Sequence, residues 1–179
     1  MTLPWLTCYG QALTEKERHW LKDAAYTVSK AFPKTVIVNI GVCKFASMYC
    51  LRVGAPKATL IGVDIVLPSR WTPHKELQAE YIIEDSRTAY KKFTRPIHLL
   101  FVDGDHHYPV VKSDLENWGA LVVSGGIVAC HDYKPLPVDI RKNPHLVQVK
   151  QAVDEWAAAR PVDWTPLPAP DSLRAFQRK

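Results

Sequence analysis

The chain has 179 residues, 47% hydrophobic and 23% charged, enough for one globular unit with a continuous core. No apolar run approaches the roughly 20 residues that span a bilayer, and residues 1–10 lack a basic stretch followed by an apolar segment, so a soluble, cytoplasmic protein with no membrane partner is expected. A net charge of +5 with scattered lysine and arginine permits an anionic ligand, while the absence of a basic stripe with interleaved aromatics argues against nucleic acid.

Thr14-Glu15-Lys16-Glu17 has the pattern of a capping box, and Trp20, Leu21, Ala24, Ala25 and Val28 follow at helical spacing up to Pro33. A first helix over residues 15–32 is predicted. Residues 35–40 (TVIVNI) are β-branched and nearly all apolar, as in a parallel strand buried on both faces near a sheet centre. After the turn at Gly41, residues 44–53 read as a helix and residues 59–63 (TLIGV) as a second buried strand ending at Asp64. A loop rich in proline and tryptophan (67–73) leads to a helix near 74–79, a short strand over 81–83 and a helix over 87–93. The strand 97–102 ends at Asp103. Pro109 suits the first turn of the next helix, whose apolar face of Val111, Leu115, Trp118 and Val122 runs on until Gly125-Gly126 stops it.

A strand over 127–130, a proline-rich connection and a helix over 147–159 come next. Two short strands, 162–167 and 172–176, then pair as a hairpin at a sheet edge, where proline is tolerated. This alternation predicts an α/β fold with a mostly parallel sheet. It is read as one domain over 1–179, with an N-terminal helical segment (1–33) and a core (34–179). Cys8, Cys43, Cys50 and Cys130 form no CxxC pair or zinc-finger spacing and read as reduced thiols.

Two acid and histidine clusters end two of these strands: Asp103-Gly104-Asp105-His106-His107-Tyr108 and His131-Asp132-Tyr133. A right-handed crossover between the strands puts both clusters on one sheet edge. Asp103, His131 and Asp132 there make a candidate divalent-cation site. Oxygen ligands favour magnesium, and a coordinating His131 favours manganese, iron or zinc; the alternative is that the acids cap strand ends and His131 bonds a loop. His106 and His107 are candidate general bases, since imidazole titrates near pH ~6.5, against the plainer reading of solvated side chains. Asp105 suits a turn that bonds its own backbone.

Gly41 and Asp64, about 23 residues apart, bracket a βαβ unit of nucleotide-binding shape, close to the roughly 20 at which an acid meets a ribose. The full GxGxxG is absent, and an ordinary tight connection is the alternative. Asp85-Ser86 either receives a ligand's heterocycle or caps a helix. Trp71 either covers a bound ring or packs on the core.

Residues 36–47 (VIVNIGVCKFAS), 62–65 (GVDI), 84–86 (EDS), 101–118 (FVDGDHHYPVVKSDLENW) and 124–133 (SGGIVACHDY) resemble class I S-adenosylmethionine-dependent methyltransferases. Within that class the likeness is to the branch of macrocin-type O-methyltransferases and cephalosporin-hydroxylase-like enzymes. Residues 149–156 (VKQAVDEW) and a closing strand through 172–178 extend it across about 35–178. The resemblance implies a three-layer, doubly wound Rossmann-like fold with an antiparallel C-terminal strand. It implies S-adenosylmethionine contacts from Asn39, Gly41, Asp64, Ile65, Asp85, Ser86 and Asp103, with Gly41 beside the methionine part, Asp64 at the ribose, and Asp85 with Ser86 at the adenine. A divalent metal, Mg²⁺ or Mn²⁺, is implied on Asp103, His131 and Asp132, with His106 as the base.

The activity so implied is metal-assisted O-methylation of a hydroxyl on a small molecule or sugar, by a chain that can form a homo-oligomer. Two positions depart from the family pattern. Asn39 stands where an acid is usual, and Phe45 stands where glycine is usual, which would crowd the loop beside the cofactor. These departures motivate the alternative of a non-catalytic cofactor-binding module or partner subunit.

Overall fold

The computed structural model describes residues 13–66 and 77–179. Helix α1 (Glu15–Ala31) begins on a complete capping box: Thr14 Oγ1 accepts from the Glu17 amide, and the Glu17 carboxylate accepts from the Thr14 amide. Leu21, Ala24, Ala25 and Val28 form its buried stripe. Strand β1 (Val36–Ile40) is buried along its whole length. Its alternate side chains serve two cores: Val36, Val38 and Ile40 face one, and Ile37 faces the other. Burying a residue such as Ile37 contributes about 1.5–3 kcal/mol.

Helix α2 (Ala46–Gly54), β2 (Thr59–Asp64), β3 (Glu80–Ile83), the short α3 (Ser86–Ala89) and β4 (Ile97–Val102) follow, with 3₁₀ turns at Tyr90–Lys92 and, further along, Gly119–Leu121. Then come α4 (Tyr108–Asn117), β5 (Val122–Cys130), α5 (Pro137–Lys142), α6 (Leu146–Ala158), β6 (Trp164–Leu167) and β7 (Arg174–Arg178). The strands lie in the order β3-β2-β1-β4-β5-β7-β6. Neighbours from β3 through β5 are parallel, and β7 runs antiparallel to both β5 and β6. Helices α1 and α2 cover one face, and α3, α4 and α6 cover the other. The result is the three-layer, doubly wound sheet with an antiparallel closing strand that the resemblance implied.

The terminal strands pair as expected, with Pro166 on the edge strand β6. Several bounds differ: the helix expected over 87–93 is the four-residue α3 followed by a 3₁₀ turn, the two closing strands start two residues late, and Gly125-Gly126 does not end α4 but lies inside β5, which already starts at Val122. The helix stops at Trp118 because that indole is wholly buried, packs on Phe93 at 5.2 Å and donates to the Ser86 carbonyl at 3.0 Å. The proline-rich connection also holds α5, which the sequence did not predict. The loop carrying Trp71, residues 74–76 of the helix expected near 74–79, and Cys8 fall outside the described residues, and residues 77–79 are not α-helical. Cys43 is exposed, Cys50 and Cys130 are buried, and all three are free. Among the described residues no helix is long and apolar enough to cross a membrane.

Candidate active site

The strand order reverses between β1 and β4, and the crevice outside their carboxyl ends is where doubly wound sheets bind ligands. Gly41, just after β1, has φ +84°, and a Cβ there would sit 2.0 Å from the Asp103 carbonyl oxygen and 2.7 Å from Gly104 Cα. Only glycine lets the two strand-end loops touch. A cavity of about 460 Å³ opens beside them, within the usual range for small-molecule sites. Gly41, Asp64, Ile65, Asp85, Ser86, Asp103 and His106, all singled out in the sequence, line it.

Asn39 is not on the cavity wall. It is fully buried beneath the loop, donates from Nδ2 to the Gly41 carbonyl at 2.9 Å, and its Oδ1 has no hydrogen-bond partner among the described residues. Asp64 Oδ2 accepts from the amides of Val42 (2.8 Å) and Cys43 (3.2 Å), so the carboxylate shapes the loop as well as facing the cavity. Asp85 caps α3 through the Arg87 amide at 2.9 Å and also pairs with the Arg87 guanidinium at 2.6 Å. The helix-cap reading of Asp85 therefore holds, on a side chain that also lines the cavity.

Phe45 adopts φ +65°, a left-handed conformation that favours glycine, yet its side chain does not enter the cavity. It is 2% exposed, packed in the core on the α1–α2 side with Tyr81 edge-on at 6.0 Å. The expected crowding is thus corrected: Phe45 strains the backbone but leaves the crevice open. The bare backbone at Gly41 and the carboxylates of Asp64, Glu84 and Asp85 along the cavity wall fit a ligand that carries hydrogen-bond donors.

Behind Asp103, His131 directly follows β5, and its amide donates to the Val102 carbonyl at 3.0 Å. Its Nδ1 lies 3.1 Å from Asp103 Oδ1 and 3.2 Å from Asp132 Oδ2, and its Nε2 lies 3.4 Å from Glu17 Oε2. One ligand atom from each of Asp103, His131 and Asp132 falls within 4.8 Å of the others. Asp103, His106 and His131 also border a void of about 10 Å³, the scale of one water or ion. The donor set fits a divalent cation, whereas the void does not locate it, since Val102, Val111, Cys130 and Val149 complete its wall and Asp132 lies off it.

Burial would lower the proton affinity of His131, but Asp103 first, then Asp132 and Glu17, outweigh it and raise that affinity strongly. Burial would raise Asp132, but His106 and His131 hold it far below the ordinary carboxylate range. A cation taking Nδ1 therefore displaces a proton.

His106 Nε2 faces Asp132 Oδ2 at 3.0 Å, which raises its pKa. Its Nδ1 faces the Asn143 side-chain amide at 3.2 Å, and Asn143 Oδ1 in turn accepts from the His145 amide. His107 points away: it pairs with Asp105 at 2.5 Å and stacks on His145 at 3.8 Å. Of the two adjacent histidines only His106 reaches the acid edge. Asp105 accepts from the His107 amide, the local turn read from the sequence.

Glu17 and Asn143 were not foreseen as site residues. Glu17 reads as a helix cap and Asn143 as a loop residue, and no local signal ties either to a site built from β4 and β5.

A family model described as a methyltransferase domain matches residues 38–133, which include both strand-end clusters but neither Glu17 nor Asn143. No curated protein matches. Solved structures do. TomG, an O-methyltransferase from Streptomyces achromogenes described in complex with S-adenosylmethionine, aligns with a TM-score of 0.70 at 14% identity, covering 94% of this chain and 82% of that one. The methyltransferase PaMTH1 of Podospora anserina, described as bound to S-adenosylhomocysteine, gives 0.62 at 18% identity, covering 89% and 76%. MycE, from the mycinamycin biosynthetic pathway and described with Mg, S-adenosylhomocysteine and mycinamycin VI, gives 0.63 at 12% identity, covering 90% and 54%. At these identities the likeness is one of fold.

Proposed function

The chain belongs to this methyltransferase-domain family and is an S-adenosylmethionine-dependent methyltransferase; from that premise we propose that it methylates a hydroxyl oxygen of a small molecule or sugar, assisted by a divalent cation. The observation that carries this reading is the convergence of Asp103, His131, Asp132 and His106 beside the β1/β4 crevice. Oxygen nucleophiles need their proton removed, and this edge offers carboxylates for a cation and an imidazole for the proton. MycE, with a magnesium ion in its described complex, is consistent with such an arrangement.

When bound, the donor supplies an electrophilic methyl carbon and the cation supplies positive charge that lowers the cost of the alkoxide. The chain does the rest by positioning. Gly41 and the Asp64-braced loop hold the donor's amino-acid end, and Ile65, Asp85 and Ser86 hold its nucleoside. Asp103 lines the donor cavity and lies within reach of His131 and Asp132, so it would hold the cation beside the donor. Asp132 holds a proton on His106 Nε2, which leaves Nδ1, the nitrogen facing the Asn143 amide, to take the hydroxyl proton. The alternative of a non-catalytic module leaned on Asn39 and Phe45; the Phe45 side chain lies in the core, and Asn39 is buried beneath the Gly41 loop, whose carbonyl it holds.

The test is turnover of S-adenosylmethionine on a panel of hydroxylated small molecules and sugars, with Mg²⁺ or Mn²⁺ and with chelator. Cation-dependent turnover is expected, falling by about 10²-fold or more in His106→Ala. Donor binding, read by calorimetry, should persist in that variant. Cation-dependent activity that survives Asp103→Ala overturns the cation assignment, and donor binding without turnover on any acceptor overturns the O-methyltransferase reading.

A further inference from the structure

Glu17 is a carboxylate of α1 that is only 1% exposed, far more buried than a capping-box residue needs to be. Taking a carboxylate out of water costs several kcal/mol unless it is fully bonded. Here it is: Oε1 accepts from the Ser172 amide at 2.9 Å and the Ser172 hydroxyl at 2.6 Å, and Oε2 accepts from the Thr14 amide at 2.8 Å. The remaining direction of Oε2 faces His131 Nε2 at 3.4 Å. Helix capping explains the Thr14 contact alone. The other contacts fasten this carboxylate to the start of the closing strand and to the candidate cation ligand.

We propose that Glu17 is a positioning residue that fixes which nitrogen of His131 meets the cation, an assignment that rests on the cation site proposed above. An ionised carboxylate only accepts hydrogen bonds, so Glu17 can engage His131 only while Nε2 carries a proton. That commits the lone pair of neutral imidazole to Nδ1, the nitrogen within 3.2 Å of both Asp103 and Asp132. A carboxylate behind a ligating histidine orients the ring and raises its basicity. The N-terminal helix, outside the matched family region, thereby completes a site that β4 and β5 begin.

The experiment compares wild type, Glu17→Gln and Ser172→Ala by Mn²⁺ titration followed by electron paramagnetic resonance. Thermal unfolding and S-adenosylmethionine affinity are measured alongside. Glu17→Gln puts an amide donor opposite Nε2 and favours the tautomer with its proton on Nδ1, which cannot ligate. Mn²⁺ affinity is expected to fall by about 10- to 100-fold, with donor affinity unchanged. Ser172→Ala removes a bond to the same carboxylate without touching His131. It should lose stability while keeping wild-type Mn²⁺ affinity. In Zn²⁺-loaded wild type, long-range ¹H–¹⁵N spectra should show His131 protonated at Nε2 and coordinated at Nδ1.

Wild-type Mn²⁺ affinity in Glu17→Gln overturns the assignment, as does a loss of affinity in both variants that tracks their loss of stability. Absence of Mn²⁺ binding in wild type overturns the cation site itself, and this assignment with it.

Discussion

Phe45 sets two residue-scale terms against each other. A left-handed backbone costs a non-glycine residue about 1–2 kcal/mol, whereas removing a buried phenylalanine costs about 3–5 kcal/mol. The side chain is 2% exposed and does not line the cavity, so burial wins. Phe45→Gly should lower stability by about 2–3 kcal/mol in urea titration and leave S-adenosylmethionine affinity where it was. Tighter donor binding in that variant would show that the ring crowds the crevice after all. Asn39 poses the opposite case, a small polar side chain whose Oδ1 is buried without a partner among the described residues, directly beneath the Gly41 loop.

Among the elements, β5 departs most from what local pattern suggests. Gly125-Gly126 looks like a helix stop, yet it absorbs a register irregularity: Ile97 pairs with Val122, but Leu99 pairs with Ile127. The two glycines let the strand take up the extra residues before it runs true to His131. A Cβ on Gly126 would lie 2.7 Å from Val122 Cγ1 and 2.9 Å from the Val123 carbonyl. Gly126→Ala should therefore cost about 1–3 kcal/mol by overpacking, seen as a lower urea midpoint at unchanged slope. An unaltered midpoint would mean that β5 relaxes freely at that point. Helix α5 matters for a different reason, since its C-terminal cap Asn143 holds His106 Nδ1 and so connects the proline-rich segment to the base.

For the whole molecule, buried carboxylates give stability two pH limbs of opposite sign. Burial would raise Glu17, but His131, Ser172 and Thr14 hold it at about 2, below its usual 4.5. Its contribution is present above pH 4.5 and lost as pH falls toward 2. Asp114, on α4, is raised by burial from 3.8 to about 7, only partly countered by Ser86. Its contribution is present below 3.8 and lost as pH rises through 7. Thermal stability should climb from pH 2 to about 4.5 and then decline toward 7. Asp114→Asn should flatten the decline, on the order of 2–4 kcal/mol in total, and spare the acid limb. An unchanged decline in that variant would remove Asp114 as its cause.

The sequence by itself determined the α/β alternation, the central strands and the strand-end acids and histidines, because a buried parallel strand is a continuous apolar run and its polar end stands out against it. It also showed the glycine at the switch point, since close approach of two backbones admits no other residue. Only the tertiary structure decided that His106 rather than His107 meets Asp132, that Phe45 turns into the core, and that Glu17 reaches His131 across 114 residues. The physical reason is that periodicity records which face of an element is buried, not what it is buried against. The docking of α1 on the sheet, and with it the carboxylate behind His131, arises from packing between segments that share no local pattern.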